Sequence, residues 1–425
     1  MLDKRILVLA PDVLPYPGLP TTGSALRAWG VGNGFAELGC EVVFSMPRFV
    51  LDKYGHAVTK EMRDRSWDFR TIREDIRNSR CDFVVACGWP AAMQSIACFD
   101  PGVPVLLDQH GPHLLERQYQ GYGTPEGNRR EKERALARAD YFTCAGDIQL
   151  EYFQPMLRAA GWTDEDRRAR TAAIPLSLCP RLPERCPTQH PTFVFGGVFL
   201  PWQDPVASLS ALVDILDQKR CGRLLFFGGK HGSFDIPSGV FDRLLAKLAA
   251  SPSVRVMGMV PHGDLLHHYA QAHVAIDLMA RNPERELAFT TRTVEYLWCG
   301  LPVIYNDYSE LSRYIAEYEA GWVLDPADED SLRHTINQIL EDPADVERRS
   351  HNARRLVRQR LSWDRTAEPL RRFADGVTLR KKPRPPSIFS KDSIVRHYAA
   401  VKYYYQTSGV RGVIARTASY LCGSR

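Results

Sequence analysis

Short runs of apolar residues alternate with segments of helical periodicity along most of the chain, and this alternation occurs in two series. In the first series the predicted strands are Arg5–Ala10, Cys40–Ser45, Asp82–Cys87, Val103–Asp108, Tyr141–Cys144 and Ala172–Pro175. In the second series they are Thr192–Gly196, Arg223–Phe227, Val254–Met257, His273–Leu278, Pro302–Tyr305 and Trp322–Leu324. Continuous apolar runs are typical of parallel strands that are buried on both faces and joined by crossover helices. The pattern therefore predicts an α/β protein with two doubly wound domains.

A proline-rich segment separates the two series. Residues 176–191 read LSLCPRLPERCPTQHP, with four prolines and no periodicity, which is typical of a linker between domains. The predicted boundaries are residues 1–180 for the first domain, 181–191 for the linker and 192–360 for the second domain. Two Rossmann-like domains in one chain face each other across a cleft, and ligands of such sheets bind at the carboxyl ends of the strands.

Helical periodicity between the strands predicts the crossover helices. The predicted helices are Ser24–Leu38, Gly127–Ala139, Val206–Asp217, Phe241–Ala250, Thr293–Cys299 and Asp330–Leu340. A further helical pattern, Trp363–Phe373, lies within residues 361–379. We expect that helix to pack back on the first domain.

The positive charge of the chain is concentrated in its last residues. Residues 380–425 contain ten Lys or Arg and one Asp, a net charge of +9 in a chain whose total is +5. Tyr398, Val401 and Tyr405 recur there at helical spacing among the basic residues. Such a segment favours binding to an anionic membrane surface. A helix that is solvated or docked on the protein itself is the alternative, and no nucleic-acid-binding motif accompanies the charge.

The rest of the composition is that of an ordinary globular protein. Hydrophobic residues make up 44% and charged residues 25%, and no apolar stretch reaches the roughly 20 residues needed to span a bilayer. The start, MLDKRILVLAPD, favours a buried strand over a secretory signal. The ten cysteines include no C-x-x-C pair, which indicates a reducing compartment and predicts neither a zinc site nor disulfides. We therefore expect a cytoplasmic protein, with the cytoplasmic face of the membrane as a further place for its basic tail.

Polar residues in the first domain mark two loops that open on the cleft. Thr22, Gly23 and Ser24 precede a predicted helix, where backbone N–H groups and the helix dipole favour an anion or a sugar hydroxyl. An edge loop without a ligand is the alternative. Asp108 ends the fourth predicted strand and His110 lies just after it, where the aspartate can accept and the histidine can donate hydrogen bonds. A loop histidine without a ligand is the alternative there.

The second domain offers a candidate anion site in residues 288–304, AFTTRTVEYLWCGLPVI. Thr290 and Thr291 precede a helix, and Arg292 adds a positive charge where the helix dipole is positive, so this helix start is suited to a diphosphate. Glu295, one turn further on, is placed to accept both hydroxyls of a ribose. An i,i+3 surface pair of Arg292 and Glu295 is the alternative.

Two other strand ends in this domain are rich in glycine. Gly197 follows the strand Thr192–Gly196, and Lys230 follows a pair of glycines after the strand Arg223–Phe227. Glycines allow the backbone to approach a ligand closely, and a lysine meets a phosphate as a point charge. Strand ends without a ligand are the alternative at both places.

The segment VEYLWCGLPVI, set behind a polar loop in the second α/β half, resembles the donor-binding segment of GT-B glycosyltransferases of the large retaining family 4. The likeness extends over most of residues 1–375. It implies that Glu295 holds the nucleotide ribose and that the helix-start amides beside Thr291 and Arg292 hold the diphosphate. It also implies a nucleotide diphosphate sugar as donor, a reaction that needs neither metal nor cofactor, and retention of anomeric configuration.

The chain departs from the family pattern in two places. The carboxylate expected eight positions before the ribose-binding glutamate is replaced by Leu287, with Glu286 adjacent. The arginine and lysine expected after the first strand of the donor domain are replaced by Trp202, Gln203 and Asp204. Neutralisation of the diphosphate is therefore expected from Arg292 and Lys230.

These features predict a hexosyltransferase that moves a sugar onto a glycan or lipid-linked acceptor in polysaccharide or glycoconjugate synthesis. The predicted catalytic residues are His110, Asp108 and Glu286. A nucleotide-sugar epimerase of the same architecture is one alternative. A GT-B scaffold without activity is the other, and Leu287 and the absence of the expected arginine and lysine are the observations in its favour.

Overall fold

The structure is a computed structural model that describes residues 3–68, 71–88, 96–97, 100–230, 239, 241–376 and 378–382. The first sheet contains β1 (Arg5–Leu9), β2 (Glu41–Ser45), β3 (Phe83–Cys87), β4 (Val105–Gln109), β5 (Tyr141–Cys144) and β6 (Thr171–Ala173). The second sheet contains β7 (Thr192–Phe199), β8 (Arg223–Lys230), β9 (Val254–Gly258), β10 (Val274–Asp277), β11 (Val303–Asn306) and β12 (Gly321–Leu324).

Both sheets have six parallel strands, ordered β2-β1-β3-β4-β5-β6 and β12-β11-β10-β7-β8-β9. The order reverses direction within each sheet, as it does in doubly wound folds. Strands such as β3, FVVAC, are buried along their whole length because helices cover both faces. The predicted fold class is confirmed.

The helices of the first domain are α1 (Gly23–Glu37), α2 (Arg48–Leu51), α3 (Lys60–Asp64), α4 (Ile72–Ser79), α5 (His113–Tyr119), α6 (Pro125–Arg138), α7 (Asp147–Ala159) and α8 (Asp164–Arg170). A 3-10 helix covers Asp52–Ala57. Those of the second are α9 (Val206–Lys219), α10 (Asp242–Ala250), α11 (His262–Gln271), α12 (Pro283–Leu287), α13 (Thr291–Trp298), α14 (Glu310–Tyr318), α15 (Glu329–Glu341) and α16 (Pro343–Arg360). Two short helices follow, α17 (Trp363–Thr366) and α18 (Glu368–Asp375).

Strands β7 and β8 continue beyond their predicted ends. Gly197 pairs with Gly228 in the extended ladder. Gly228 has a φ of +107°, and a Cβ there would overlap the carbonyl oxygen of Gly197. The glycines that suggested a strand end therefore allow the two strands to stay paired as far as the cleft.

The chain crosses between the domains twice, and the two crossings are hydrogen-bonded to each other. The Leu178 amide donates to the Leu361 carbonyl at 3.0 Å, and the Trp363 amide donates to the Leu178 carbonyl at 3.1 Å. After the second crossing, α18 inserts Phe373 into the core of the first domain, with its ring 4.8 Å from that of Tyr141. The C-terminal helix thus packs on the domain with which the chain began.

The first residues of the basic segment are also bound to the first domain. Arg380 lies 4.5 Å from the ring of Trp162 and donates to the carbonyl oxygens of Ala137, Ala139 and Gly161. Lys382 donates to a carboxylate oxygen of Asp140 at 2.7 Å.

Residues 383–425 lie outside the described residues, and the predicted membrane contact falls there. In the part of the chain that is described, no helix has the length and apolarity required to cross a membrane.

Candidate functional site

The carboxyl ends of the two sheets face each other, and the loop before α1 reaches across to the second domain. Thr22 caps α1, because its hydroxyl accepts from the Ala25 amide at 3.4 Å. Ser24 is bonded to that same hydroxyl at 3.2 Å. A Cβ on Gly23 would lie 2.8 Å from Thr291 Oγ1, so the missing side chain permits the close approach of the two domains.

His110 follows β4 and contacts the same threonine. Its Nε2 lies 3.0 Å from Thr291 Oγ1. Burial, together with the nearby charge of Arg27, lowers the pKa of His110 to about 4. His110 Nδ1 is buried, and no residue that the structure describes offers it a hydrogen bond. A neutral imidazole with a free ring nitrogen is suited to bind a ligand hydroxyl.

Asp108 lies inside the first domain. Its side chain is fully buried, with Arg27 Nε and Nη2 at 2.9 and 2.7 Å from its two carboxylate oxygens. The Thr143 hydroxyl donates to the same carboxylate at 2.6 Å. These contacts give Asp108 a structural role, and they offer no support for its predicted catalytic role.

Arg292 lies in the first turn of α13, which begins two residues before the predicted start at Thr293. Its Nη2 donates to Gln203 Oε1, and its guanidinium carbon lies 5.4 Å from the centre of the Phe195 ring. A Cβ on Gly197 would lie 2.6 Å from Nη1, so the glycine leaves room for the guanidinium. Nη1 is buried without a hydrogen-bond partner in the described part of the chain.

Asp277 ends β10 and holds the start of α13. One carboxylate oxygen accepts from the Thr293 hydroxyl at 2.5 Å, and the other lies 3.9 Å from Arg292 Nε. That second oxygen is buried and has no hydrogen-bond partner among residues 3–68, 71–88, 96–97, 100–230, 239, 241–376 and 378–382. The carboxylate therefore orients the first turn of α13 without pairing closely with Arg292.

Thr290 and Glu295 are the other residues at α13 that were predicted to bind the donor. The Thr290 hydroxyl lies 2.9 Å from the Tyr305 hydroxyl, which fixes it to β11. Glu295 is buried, and its carboxylate lies 2.6 Å from His262 Nε2 at the start of α11. His262 was not predicted, and the sequence offered no signal for it because its partner is 33 residues away.

Helix α12, which precedes α13 in the chain, places its charged residues in two different environments. Glu284 and Arg285 form a buried pair with hydrogen bonds of 2.5 and 2.8 Å. Glu286 instead bonds Arg281 at 2.7 Å, and both side chains are exposed. The contacts of Glu286 therefore do not support its predicted catalytic role.

A group of buried titratable side chains beside His110 escaped the sequence analysis. Burial raises the pKa of Glu116 to about 8, and nearby Glu284 adds to the effect. Burial lowers the pKa of Lys132 to about 7, and Lys132 Nζ donates to Gln109 Oε1 at 2.6 Å. The spacing of His113 and Glu116, three residues apart, was the available signal, since it places both on one face of α5.

The remaining predicted ligand is Lys230, whose side chain lies outside what the structure describes, so its contact with a phosphate stays a prediction. Across the described residues, no three His, Cys, Asp or Glu side chains are grouped so that they could hold a metal ion. The structure thus brings together Gly23, His110, Thr291 and, on the same helix, Arg292 and Glu295.

The second domain matches a known family. Residues 183–356 match the family described as glycosyl transferases group 1. The MMP alpha-(1->4)-mannosyltransferase of Mycolicibacterium hassiacum is 26% identical over 132 residues, which is 31% of each chain. The matched part therefore spans about a third of that curated relative.

Solved structures with a similar fold cover far more of the chain. Sucrose-phosphate synthase from Thermosynechococcus elongatus superposes with a TM-score of 0.65 at 17% identity, over 88% of this chain and 98% of that one. HepE from Anabaena in complex with UDP-glucose gives a TM-score of 0.60 at 13% identity, over 88% and 100% of the two chains. HepE has also been solved in complex with UDP, with a TM-score of 0.59 at 13% identity over the same shares. At these identities the likeness shows the shared fold.

Proposed function

We propose that the chain, in which residues 183–356 match glycosyl transferases group 1 and whose fold is shared with sucrose-phosphate synthase, is a GT-B glycosyltransferase that transfers a sugar from a nucleotide diphosphate sugar to a hydroxyl. The acceptor is a glycan or a lipid-linked saccharide. The observation that carries the proposal is the start of α13, where Arg292 keeps a buried, unpartnered Nη1 beside Gly197 in the part of the chain that the structure describes.

The geometry supports a site for the diphosphate at this helix start. The first N–H groups of a helix and its dipole favour an anion, and a guanidinium adds charge and hydrogen-bond donors. Gly23 and His110 close the first domain over Thr291, so the leaving group is enclosed by both domains. Negative charge that develops on the departing diphosphate is stabilised by groups that are already in place.

The nucleoside binds on the other side of α13. Glu295 is the acceptor for the ribose hydroxyls, and His262 holds its carboxylate in orientation. The two HepE complexes make UDP and UDP-glucose the first ligands to test. The group 1 match of the second domain supports this assignment of the nucleotide to the second domain.

The carboxylate missing at Leu287 leaves the sugar to be held by other groups. His110 from the first domain and the loop before α13 line that end of the cleft. Retention of configuration and independence of a metal ion are part of the proposal, and the family resemblance supports them. In a site without a metal, Arg292 and the helix start neutralise the diphosphate.

Incubation with a panel of nucleotide sugars tests the proposal. We expect release of nucleoside diphosphate that increases when a glycan or lipid-linked acceptor is added, and that is unaffected by a metal chelator. Product analysis by NMR reports the anomeric configuration. Calorimetry with nucleoside diphosphates measures binding independently of turnover. Absence of both binding and release for every donor would reject the transferase, and conversion of the donor itself without an acceptor would identify an epimerase.

Association with an anionic membrane surface through residues 380–425 is proposed from composition. Because Arg380 and Lys382 are bound to the first domain, the shortened chain should end after Lys382. We expect the full chain, and not the shortened one, to float with liposomes that contain anionic lipid. Equal flotation of the two chains would reject the membrane contact.

A further inference from the structure

The first domain's helix α7 is capped by a side chain from the second domain. The residue before α7 is Gly146, which has no side chain of its own to satisfy the first N–H groups. Glu310, at the start of α14, accepts from the Ile148 amide at 3.0 Å. The carboxylate is 8% exposed, and its burial raises its pKa, although the amides of Ile148 and Asp147 act in the opposite direction.

The next residue of α7 makes a second contact across the cleft. Gln149 Nε2 donates to the carbonyl oxygen of Leu287 at 2.8 Å, just before the loop that leads to α13. Gln149 Oε1 accepts from the Ala145 amide at 3.1 Å and from the Gly111 amide at 3.5 Å. The side chain is 2% exposed. One glutamine thus connects the loop of His110 to the loop of Thr291.

Within the second domain, the segments that carry these two contacts are also connected to each other by hydrogen bonds. The Tyr305 hydroxyl is bonded to the Thr290 hydroxyl at 2.9 Å and to the Ser309 hydroxyl at 3.3 Å. The loop that Gln149 holds and the turn that precedes Glu310 are therefore tied together behind the site.

We propose that Glu310 and Gln149 form an interdomain clasp that sets the distance between His110 and Thr291. Both are positioning residues, since neither lies in the predicted set that binds the donor. The clasp rests on the proposed function only for its effect on turnover, because the helix cap itself is a contact between domains that exists without any ligand.

Three variants test the clasp. Glu310→Ala removes the cap. In Gly146→Ala, a Cβ built on residue 146 would lie 2.7 Å from the Glu310 Cδ, so the methyl group displaces the carboxylate while leaving it in the protein. The φ of Gly146 is −173°, which alanine adopts without strain. In Glu310→Gln, the amide oxygen still accepts from Ile148. Glu317→Ala, an exposed glutamate of the same helix, is the matched control.

The first measurement is hydrogen exchange of the segment that contains Asp147, Ile148 and Gln149. Loss of a helix cap changes an equilibrium by roughly five- to thirtyfold, and we expect exchange to accelerate by about that factor in Glu310→Ala and in Gly146→Ala. Glu310→Gln should be affected less, and Glu317→Ala should match the unmodified protein. The double variant that combines Glu310→Ala with Gly146→Ala should exchange no faster than Glu310→Ala alone, because the added methyl group then has no carboxylate to displace.

The second measurement is steady-state turnover with the donor. If the clasp holds the competent arrangement, its loss raises the donor KM by a factor of up to about thirty, since apparent affinity falls with the competent fraction. We expect kcat to change by less than about threefold, because the groups at the diphosphate are intact.

Unchanged exchange in both Glu310→Ala and Gly146→Ala would overturn the clasp, whether or not the protein is a transferase. Faster exchange with an unchanged donor KM would overturn the proposal that the clasp positions His110 and Thr291. A chain with no transferase activity would still show the exchange effects, so failure of the clasp and failure of the proposed function are distinguishable.

Discussion

In each sheet, an aspartate near the carboxyl end of one strand, Asp108 in β4 or Asp277 in β10, lies close to an arginine from a helix, and the two pairs are built differently. In the first domain Arg27 and Asp108 meet through hydrogen bonds of 2.7 and 2.9 Å, and both side chains are almost completely buried. In the second domain Asp277 and Arg292 are 3.9 Å apart at their closest recorded approach. One atom of each, Oδ1 and Nη1, is buried and lacks a partner within the described residues.

The difference separates a structural pair from a binding site. A buried ion pair whose atoms are all bonded has nothing left to offer a ligand. A buried guanidinium nitrogen without a partner is costly unless a ligand supplies the acceptor. The same two residue types, an aspartate from a strand and an arginine from a helix, thus form a fully bonded pair in one domain and the proposed anion site in the other.

The largest expected effect is on stability, in the first pair. Arg27→Met leaves Asp108 buried without its partner, and such a change lowers the free energy of unfolding by about 3–5 kcal/mol. Urea denaturation measures the loss. Arg63→Met, which breaks an exposed pair with Asp52, is the control and should change stability by less than about 1 kcal/mol. If Arg27→Met lowers the free energy of unfolding no more than the control does, the pair of Arg27 and Asp108 does not stabilise the first domain.

The second effect is on turnover and concerns the pair formed by Asp277 and Arg292. Arg292→Ala removes a cation at the diphosphate, and loss of one preorganised donor to a developing charge lowers kcat by about 10²–10³-fold. We expect little change in urea denaturation, because Arg292 has no close ion-pair partner among the described residues. Arg333→Ala, on the distant helix α15, is the control. Full activity in Arg292→Ala would place the diphosphate elsewhere and remove the contrast between the two pairs.

A smaller effect is expected for the nucleoside. Glu295→Gln weakens the acceptor for the ribose hydroxyls, and a hydrogen bond to a charged group contributes about 1.5–3 kcal/mol, or roughly 10- to 150-fold in affinity. Calorimetry should show weaker binding of a ribonucleoside diphosphate and little change for the matching deoxyribonucleoside diphosphate. His262→Ala should weaken binding less, because it disturbs only the orientation of Glu295. Equal losses for the ribo and deoxyribo ligands would argue against a ribose contact.

A further effect is a dependence of stability on pH. The pKa of His110 is about 4 in the folded protein and near 6.5 when unfolded, so between those values the unfolded chain binds the extra proton. Stability contributed by the neutral imidazole is therefore lost as the pH falls from about 6.5 towards about 4. His110→Asn should flatten that part of the urea-denaturation profile. The exposed His351→Asn serves as control, and identical profiles for His110→Asn and the unmodified protein would contradict the shift.

The strands were predictable because each is a short apolar run that requires no knowledge of its neighbours. The polar residues at the start of α13 were also predictable, since Thr290, Thr291 and Arg292 are adjacent in sequence, although the helix begins at Thr291, two residues before the predicted start at Thr293. Strand ends were less so: the glycines at 196–197 and 228–229 predicted the end of two strands, whereas the ladder continues through them.

The sequence by itself determined the two doubly wound α/β halves and pointed to the polar helix start at Thr290, Thr291 and Arg292 as a candidate anion site, because periodicity and helix termini are local properties. Tertiary structure alone decided which charged residues are neutralised. Arg27 and Asp108 are 81 residues apart, and Glu310 and Ile148 are 162 apart. A charge that lies in a polar loop in the sequence becomes a structural pair, a ligand site or a helix cap according to which distant atoms reach it, because burial and pairing depend on the packing of both domains.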